Sequence, residues 1–195
     1  MSWTCRAGHA LRNAAGHSSC GDATFAWMEG ERGLFAVVDA LGHGLEAAAS
    51  AQLTTRTLAS SLDRTLAQAI QECDRALREG HQRGVALSAI QVRAGAMIYA
   101  GIGDVQLYGP PGAKRPPNTP GVVGRGLREV REWELQVTEG QRWVLASDGI
   151  RRREATAAIR DVAGVEPEEA AQRILLAAGR TDDDASVLVL DWGRR

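Results

Sequence analysis

Four acidic positions in this 195-residue chain share a setting that suits metal chemistry. Asp39 ends the apolar run Phe35-Ala36-Val37-Val38, and Asp148 follows the run that closes at Ser147. Asp22 links a polar loop, 16–21, to another apolar stretch, and Asp182-Asp183-Asp184 precede the run 186–190. A carboxylate at the mouth of a buried strand is costly to desolvate without a positive partner. No Lys or Arg lies between Gly33 and Gln52 to serve Asp39 locally, so a metal ion is a candidate partner. Hard divalent ions take oxygen ligands, and Mg²⁺ keeps several waters while using few carboxylates. Dispersed single aspartates fit that demand, unlike the local ligand run of a calcium loop. Two ions about 3.5–4 Å apart can activate a bridging water and clamp a phosphoryl group. One carboxylate must then bridge both.

Each aspartate has an ordinary reading beside this one. Asp39 could cap the helix that follows. Asp148-Gly149 is a common turn pair. Asp182 to Asp184 could be a solvated charge run, and Asp22 a plain loop residue. Their shared place at strand ends weighs against four unrelated turns.

The elements that must position them follow from pattern. Alternation predicts an edge strand over 3–10 and a hairpin of 23–28 with 34–38 around Gly30-Glu31-Arg32-Gly33. That hairpin brings Asp22 and Asp39 to one end, because antiparallel partners set the start of one strand beside the end of the other. Helices are predicted over 45–62 and 65–78, the second with Leu66, Ile70, Cys73 and Leu77 at helical spacing and Gly80 as its cap. Three consecutive strands, 85–92, 96–100 and 105–108, read as a meander. A loop over 109–126 holds five of the six prolines. Segments 130–137 and 141–147 read as another strand pair turning at Glu139-Gly140. Helices over 154–162 and 167–178 and a strand over 186–190 complete the chain. Strands in runs, not alternating with helices, predict antiparallel sheets with helices packed outside. The length predicts one domain over 1–195.

Bulk properties exclude several functions. The net charge of −1 gives no pull toward nucleic acid or an anionic membrane. Three cysteines without a CxxC argue against a disulfide framework and a zinc knuckle. No apolar run approaches the roughly 20 residues that span a bilayer, and residues 1–21 lack the core of a signal peptide. A cytoplasmic location is the expectation.

The motifs Phe35-Ala36-Val37-Val38-Asp39-Ala40-Leu41-Gly42-His43-Gly44, Ser147-Asp148-Gly149-Ile150 and Asp183-Asp184-Ala185-Ser186-Val187 resemble those of the metal-dependent protein serine/threonine phosphatases. Cys20-Gly21-Asp22 resembles the Gly-Asp motif of a bacterial branch, that of the sporulation stage II E and small RsbX-type phosphatases. The resemblance covers nearly the whole chain, with its motifs in order. It implies an α+β fold, a four-layer αββα sandwich, with two Mn²⁺ or Mg²⁺ ions at one end. It makes Asp39 the bridge between the ions, with Asp148 and Asp183 on the first and Asp22 on the second. The Ala40 carbonyl matches a glycine carbonyl ligand, and Asp184 reads as an outer or third-metal residue. His43 is either a general acid or a turn former. The substrate so implied is a phosphorylated regulatory protein of partner-switching type, an anti-sigma antagonist or stressosome scaffold, with no nucleic acid or membrane. Two rivals stand beside this: an inactive binding module of the same fold, and a hydrolase of small phosphoesters, for which no glycine-rich phosphate loop speaks.

Overall fold

In the computed structural model, which describes residues 3–194, every second residue of one strand faces a different core. That strand is β3 (Arg32–Ala40). Leu34, Ala36, Val38 and Ala40 pack against α1 (Leu45–Ala59) and α2 (Leu66–Glu79) through Ala47, Ala51, Leu58, Ile70 and Leu77. Phe35 and Val37 face the other way, onto Leu145, Leu188, Leu190 and Trp192 of a second sheet. A strand buried on both faces explains why this segment reads as a continuous apolar run. The parity of the strand places Asp39 on the inter-sheet face with Phe35 and Val37.

Two sheets therefore lie face to face. The first has the order β2-β3-β4-β5-β7, with β2 (Asp22–Glu29), β4 (Val85–Arg93), β5 (Ala96–Ile102) and β7 (Trp133–Glu134). The second has the order β1-β9-β8-β6, with β1 (Trp3–Arg12), β6 (Gln106–Tyr108), β8 (Arg142–Ala146) and β9 (Ala185–Arg194). Every pairing between these strands is antiparallel. The outer face of the second sheet buries Val144, Ala146, Val187 and Val189 under α3 (Arg152–Asp161) and α4 (Pro167–Ala178). The result is the αββα sandwich expected. The β2–β3 hairpin and the edge position of β1 also agree with the pattern reading.

Local chemistry sets the helix ends. Thr65 accepts from the Gln68 N–H while the Gln68 side chain accepts from Thr65 N–H, a reciprocal cap that fixes the start of α2. Pro167 opens α4, where its missing N–H costs nothing. Gly8 lets that first turn sit on β1, since a Cβ there would lie 2.1 Å from the Glu168 nitrogen.

Two strand pairings differ from the sequence reading. β6 does not continue the β4–β5 meander; it crosses to the second sheet and pairs with β8. The crossing is made at Gly103, whose positive φ of 82° turns the chain out of β5. Segment 130–137 does not pair with 141–147 either. Its short β7 seals the open edge of β5, and Leu135 N–H donates to Met97 O at 2.8 Å. β8 pairs instead with β6 and β9, and Gly140 N–H donates to Trp192 O at 2.8 Å. Local apolar pattern ranks strands without ranking their partners, and here an unsealed edge outcompetes a tight turn.

The second half of the proline-rich loop is fastened to the body. Asp74 of α2, 4% exposed, accepts from Gly124 N–H at 2.7 Å and Gly126 N–H at 3.0 Å. Val123 exchanges both backbone hydrogen bonds with Val85.

Candidate metal centre

The carboxylates collect where the two sheets end. Asp22 and Asp39 are register partners at the open end of the β2–β3 hairpin. Ala40 N–H donates to Gly21 O at 3.1 Å, which extends the hairpin past the acidic pair. Asp148 arrives from the second sheet, on the turn after β8. Ser147 N–H donates to Ser186 O at 3.1 Å and Ser186 N–H to Ser147 Oγ at 2.9 Å, which locks this turn to β9. Gly149 packs against the Asp184 carbonyl so closely that a Cβ would lie 1.9 Å from it. Glycine is required there by contact, not by backbone angle.

Asp39, Asp104 and Asp148 each offer a carboxylate oxygen, and these atoms lie within 4.8 Å of one another. Asp104 was not among the residues singled out from sequence. It stands on the crossing between β5 and β6, after the apolar run 97–102, so the strand-end rule that marked the others applies to it equally. Asn118 holds it there. Its side-chain amide donates to Gly103 O at 2.9 Å and to Val105 O at 2.7 Å, the two carbonyls that flank Asp104.

The remaining expected residues divide by environment. Asp22 is 4% exposed, and neither of its oxygens has a hydrogen-bond partner among the described residues. Asp183 is half-exposed and lies outside the cluster of three, near enough to Asp148 to oppose its ionisation. Asp184 is buried with both oxygens engaged: Oδ1 accepts from Ala14 N–H at 2.8 Å and Oδ2 from Gly21 N–H at 2.7 Å. Asp184 thus ties the β9 loop to the backbone that carries Asp22 and Ala40. His43 is exposed, between Gly42 and Gly44 of positive φ, and its ring lies 4.2 Å from that of His17.

Like charges at this density resist ionisation. Burial, then the charges of Asp22, Asp148 and Asp104, pushes the Asp39 carboxyl up to about 9. Burial pushes Asp22 up to about 7, with Asp184 and Asp148 adding to the rise and the nearby Ser147 and Ser186 hydroxyls holding it back. Asp148 is raised by burial and by Asp104 and Asp183, while Asp39 and Arg180 act to lower it. Arg180 is the guanidinium that lowers Asp148. It pairs with Asp182 at 3.1 Å and reaches Asp183 at 3.9 Å. Its backbone N–H donates to Gly149 O at 2.7 Å, which sets it beside the Asp148 turn. Oxygen-only donors, partnerless buried carboxylate atoms and mutual repulsion fit a hard divalent cation.

Face-to-face antiparallel sheets, paired helices outside and an acidic cluster at the sheet ends define a fold of the PPM phosphatase type. A family model, stage II sporulation protein E (SpoIIE), matches residues 29–193, and the chain belongs to that family. A chain solved in work on the bacterial stressosome, a modular system adapted to control secondary messenger signalling, is 29% identical with a TM-score of 0.86. The match covers 96% of this chain and 99% of that one. RsbX in complex with magnesium has a TM-score of 0.83 at 19% identity, over 97% of this chain and 96% of its own. The catalytic domain of the serine/threonine phosphatase PstP with two manganese ions has a TM-score of 0.73 at 18% identity, over 99% and 100%. No curated protein sequence matches significantly. Among the described residues no helix is long and apolar enough to cross a membrane.

Proposed function

We propose that this chain is a Mn²⁺- or Mg²⁺-dependent phosphatase acting on phosphoserine or phosphothreonine of a bacterial regulatory protein. The observation that carries the reading is the meeting of Asp39, Asp104 and Asp148 within 4.8 Å, on a fold of this family. Asp39, Asp104 and Asp148 would hold two cations, with Asp22, Asp183 and the Ala40 carbonyl as flanking ligands. Bound there, the ions supply Lewis-acid chemistry: a lowered water pKa and neutralised phosphoryl charge.

The chain's own side chains do the rest. The aspartates repel a phosphate dianion until cations balance them, so substrate and metal enter as a set. Arg180 is the cation placed to take phosphate oxygens beside Asp148, at the cost of its loose contact with Asp183. Arg6, the earliest arginine, lines a different cavity, where it pairs with Glu166 at 2.8 Å. Asp184, with each oxygen accepting from a backbone N–H group, frames the site as an outer residue. His43 shapes the mouth of the site between two left-handed glycines.

The resemblance to RsbX and to a stressosome-related chain supports a substrate of partner-switching type, an anti-sigma antagonist or scaffold protein, and a cytoplasmic setting. The test is hydrolysis of p-nitrophenyl phosphate and of a phosphoserine protein, with Mn²⁺ or with EDTA. Mn²⁺-dependent turnover that Asp39→Asn abolishes is expected. A chain that binds Mn²⁺ yet turns over neither substrate would instead be the inactive binding module.

A further inference from the structure

A concavity of about 920 Å³ lies at the outer end of the four-stranded sheet and shares no residue with the aspartate cluster. That volume falls within the range of small-molecule sites. Tyr108 and Trp192 line it, with Ile159 and Val165 from the α3 side and Pro110 and Pro111 from the proline-rich loop.

Its charge is one-sided. Arg6, Arg115, Arg142 and Arg160 line it against Glu139 and Asp191. Two of the four are committed. Arg142 grips Asp191 through Nε at 2.6 Å and Nη2 at 2.7 Å, and its Nη1 donates to Val162 O. Arg6 is held by Glu166. Arg115 and Arg160 make no ion pair among the described residues. The Arg115 guanidinium lies 6.0 Å from the centroid of the Tyr108 ring.

We propose that this cavity binds a small aromatic anion: a flat ring bearing a phosphate, sulfonate or carboxylate group. The ring is taken by the apolar walls and the anionic group by Arg115 and Arg160, guanidinium to oxyanion. The proposal needs neither metal nor phosphatase activity.

Naphthalene-1-sulfonate, which a phosphatase cannot hydrolyse, is the probe. Titrated into ¹⁵N-labelled full chain in EDTA, it should shift the amides of Tyr108, Gly109, Gly140 and Gly164 saturably. Arg115→Ala with Arg160→Ala should weaken binding about tenfold or more. Both side chains are exposed, so the fold should tolerate the change. Ala163→Trp, at an exposed wall position, should block the cavity with both arginines intact. Shifts centred on the aspartate cluster, no saturable shift, or binding unchanged in both variants would each overturn the proposal.

Discussion

Asp22 and Asp39 face each other as register partners across the β2–β3 hairpin, and acidic neighbours add to the effect of burial on both. With their carboxyls raised to about 7 and about 9, the folded chain holds protons that the unfolded chain, near 4, has released. Their contribution to stability is therefore complete below about pH 4 and is lost as pH climbs through 7 and 9. The melting temperature in EDTA should fall from pH 6 to pH 9, and Asp39→Asn should flatten the fall. Added Mn²⁺ should stabilise increasingly over the same range, because cation and proton compete for the same oxygens. A metal-free melting temperature that rises across this range would contradict the assignment.

Asp104 supplies the third carboxylate of the cluster. Asp104→Asn should weaken Mn²⁺ binding by calorimetry about 10–100-fold, with the apo protein no less stable, since one repelling charge is gone. Unchanged affinity would remove Asp104 from the ligand set.

Asn118 acts on the same residue at one remove, through the carbonyls of Gly103 and Val105. Asn118→Ala deletes these two hydrogen bonds and the one its Oδ1 accepts from the Tyr99 hydroxyl, and should cost about 2–4 kcal/mol in urea unfolding. It should also weaken Mn²⁺ binding, whereas a purely structural role would leave the affinity of the folded fraction intact.

Asp184→Ala would strand the buried N–H groups of Ala14 and Gly21, at about 2–4 kcal/mol. Asp184→Asn keeps one acceptor oxygen and should lose about half of that. If Asp184 served chiefly as a ligand, its loss would show in metal affinity and hardly in unfolding.

His43 gives a test by leaving group. A general acid matters most for a poor leaving group such as a seryl oxygen and least for p-nitrophenolate. A residue that shapes the mouth affects both alike. For His43→Gln we expect a loss under about tenfold, equal for the two substrates. A much larger loss on phosphoserine would assign proton transfer to His43.

The sandwich follows from sequence because β3 and β9 carry apolar residues on both faces, which only a doubly covered strand can use. The Asp22–Asp39 pairing follows from hairpin geometry alone. What escapes pattern is partner choice at sheet edges. Segment 130–137 looks like a mate for 141–147, yet it seals β5, since edge energetics depend on strands brought from elsewhere. Asp104 escaped for the same reason: its turn reads as a link within a meander until β6 is seen to change sheets. Asp184 and Asn118 act on backbone groups distant in sequence, and spacing carries no trace of that.

The change of sheet at Gly103 has a consequence for assembly. Asp22 and Asp39 belong to one sheet, Asp148 and Asp183 to loops at the strand ends of the other, and Asp104 to the link that crosses between them. The cluster forms only after the sheets have docked, so its repulsion is a cost of the last step. A divalent ion at this seam would rivet the two layers together. It would act chiefly on the rate at which they come apart, leaving the search that brings them together largely untouched.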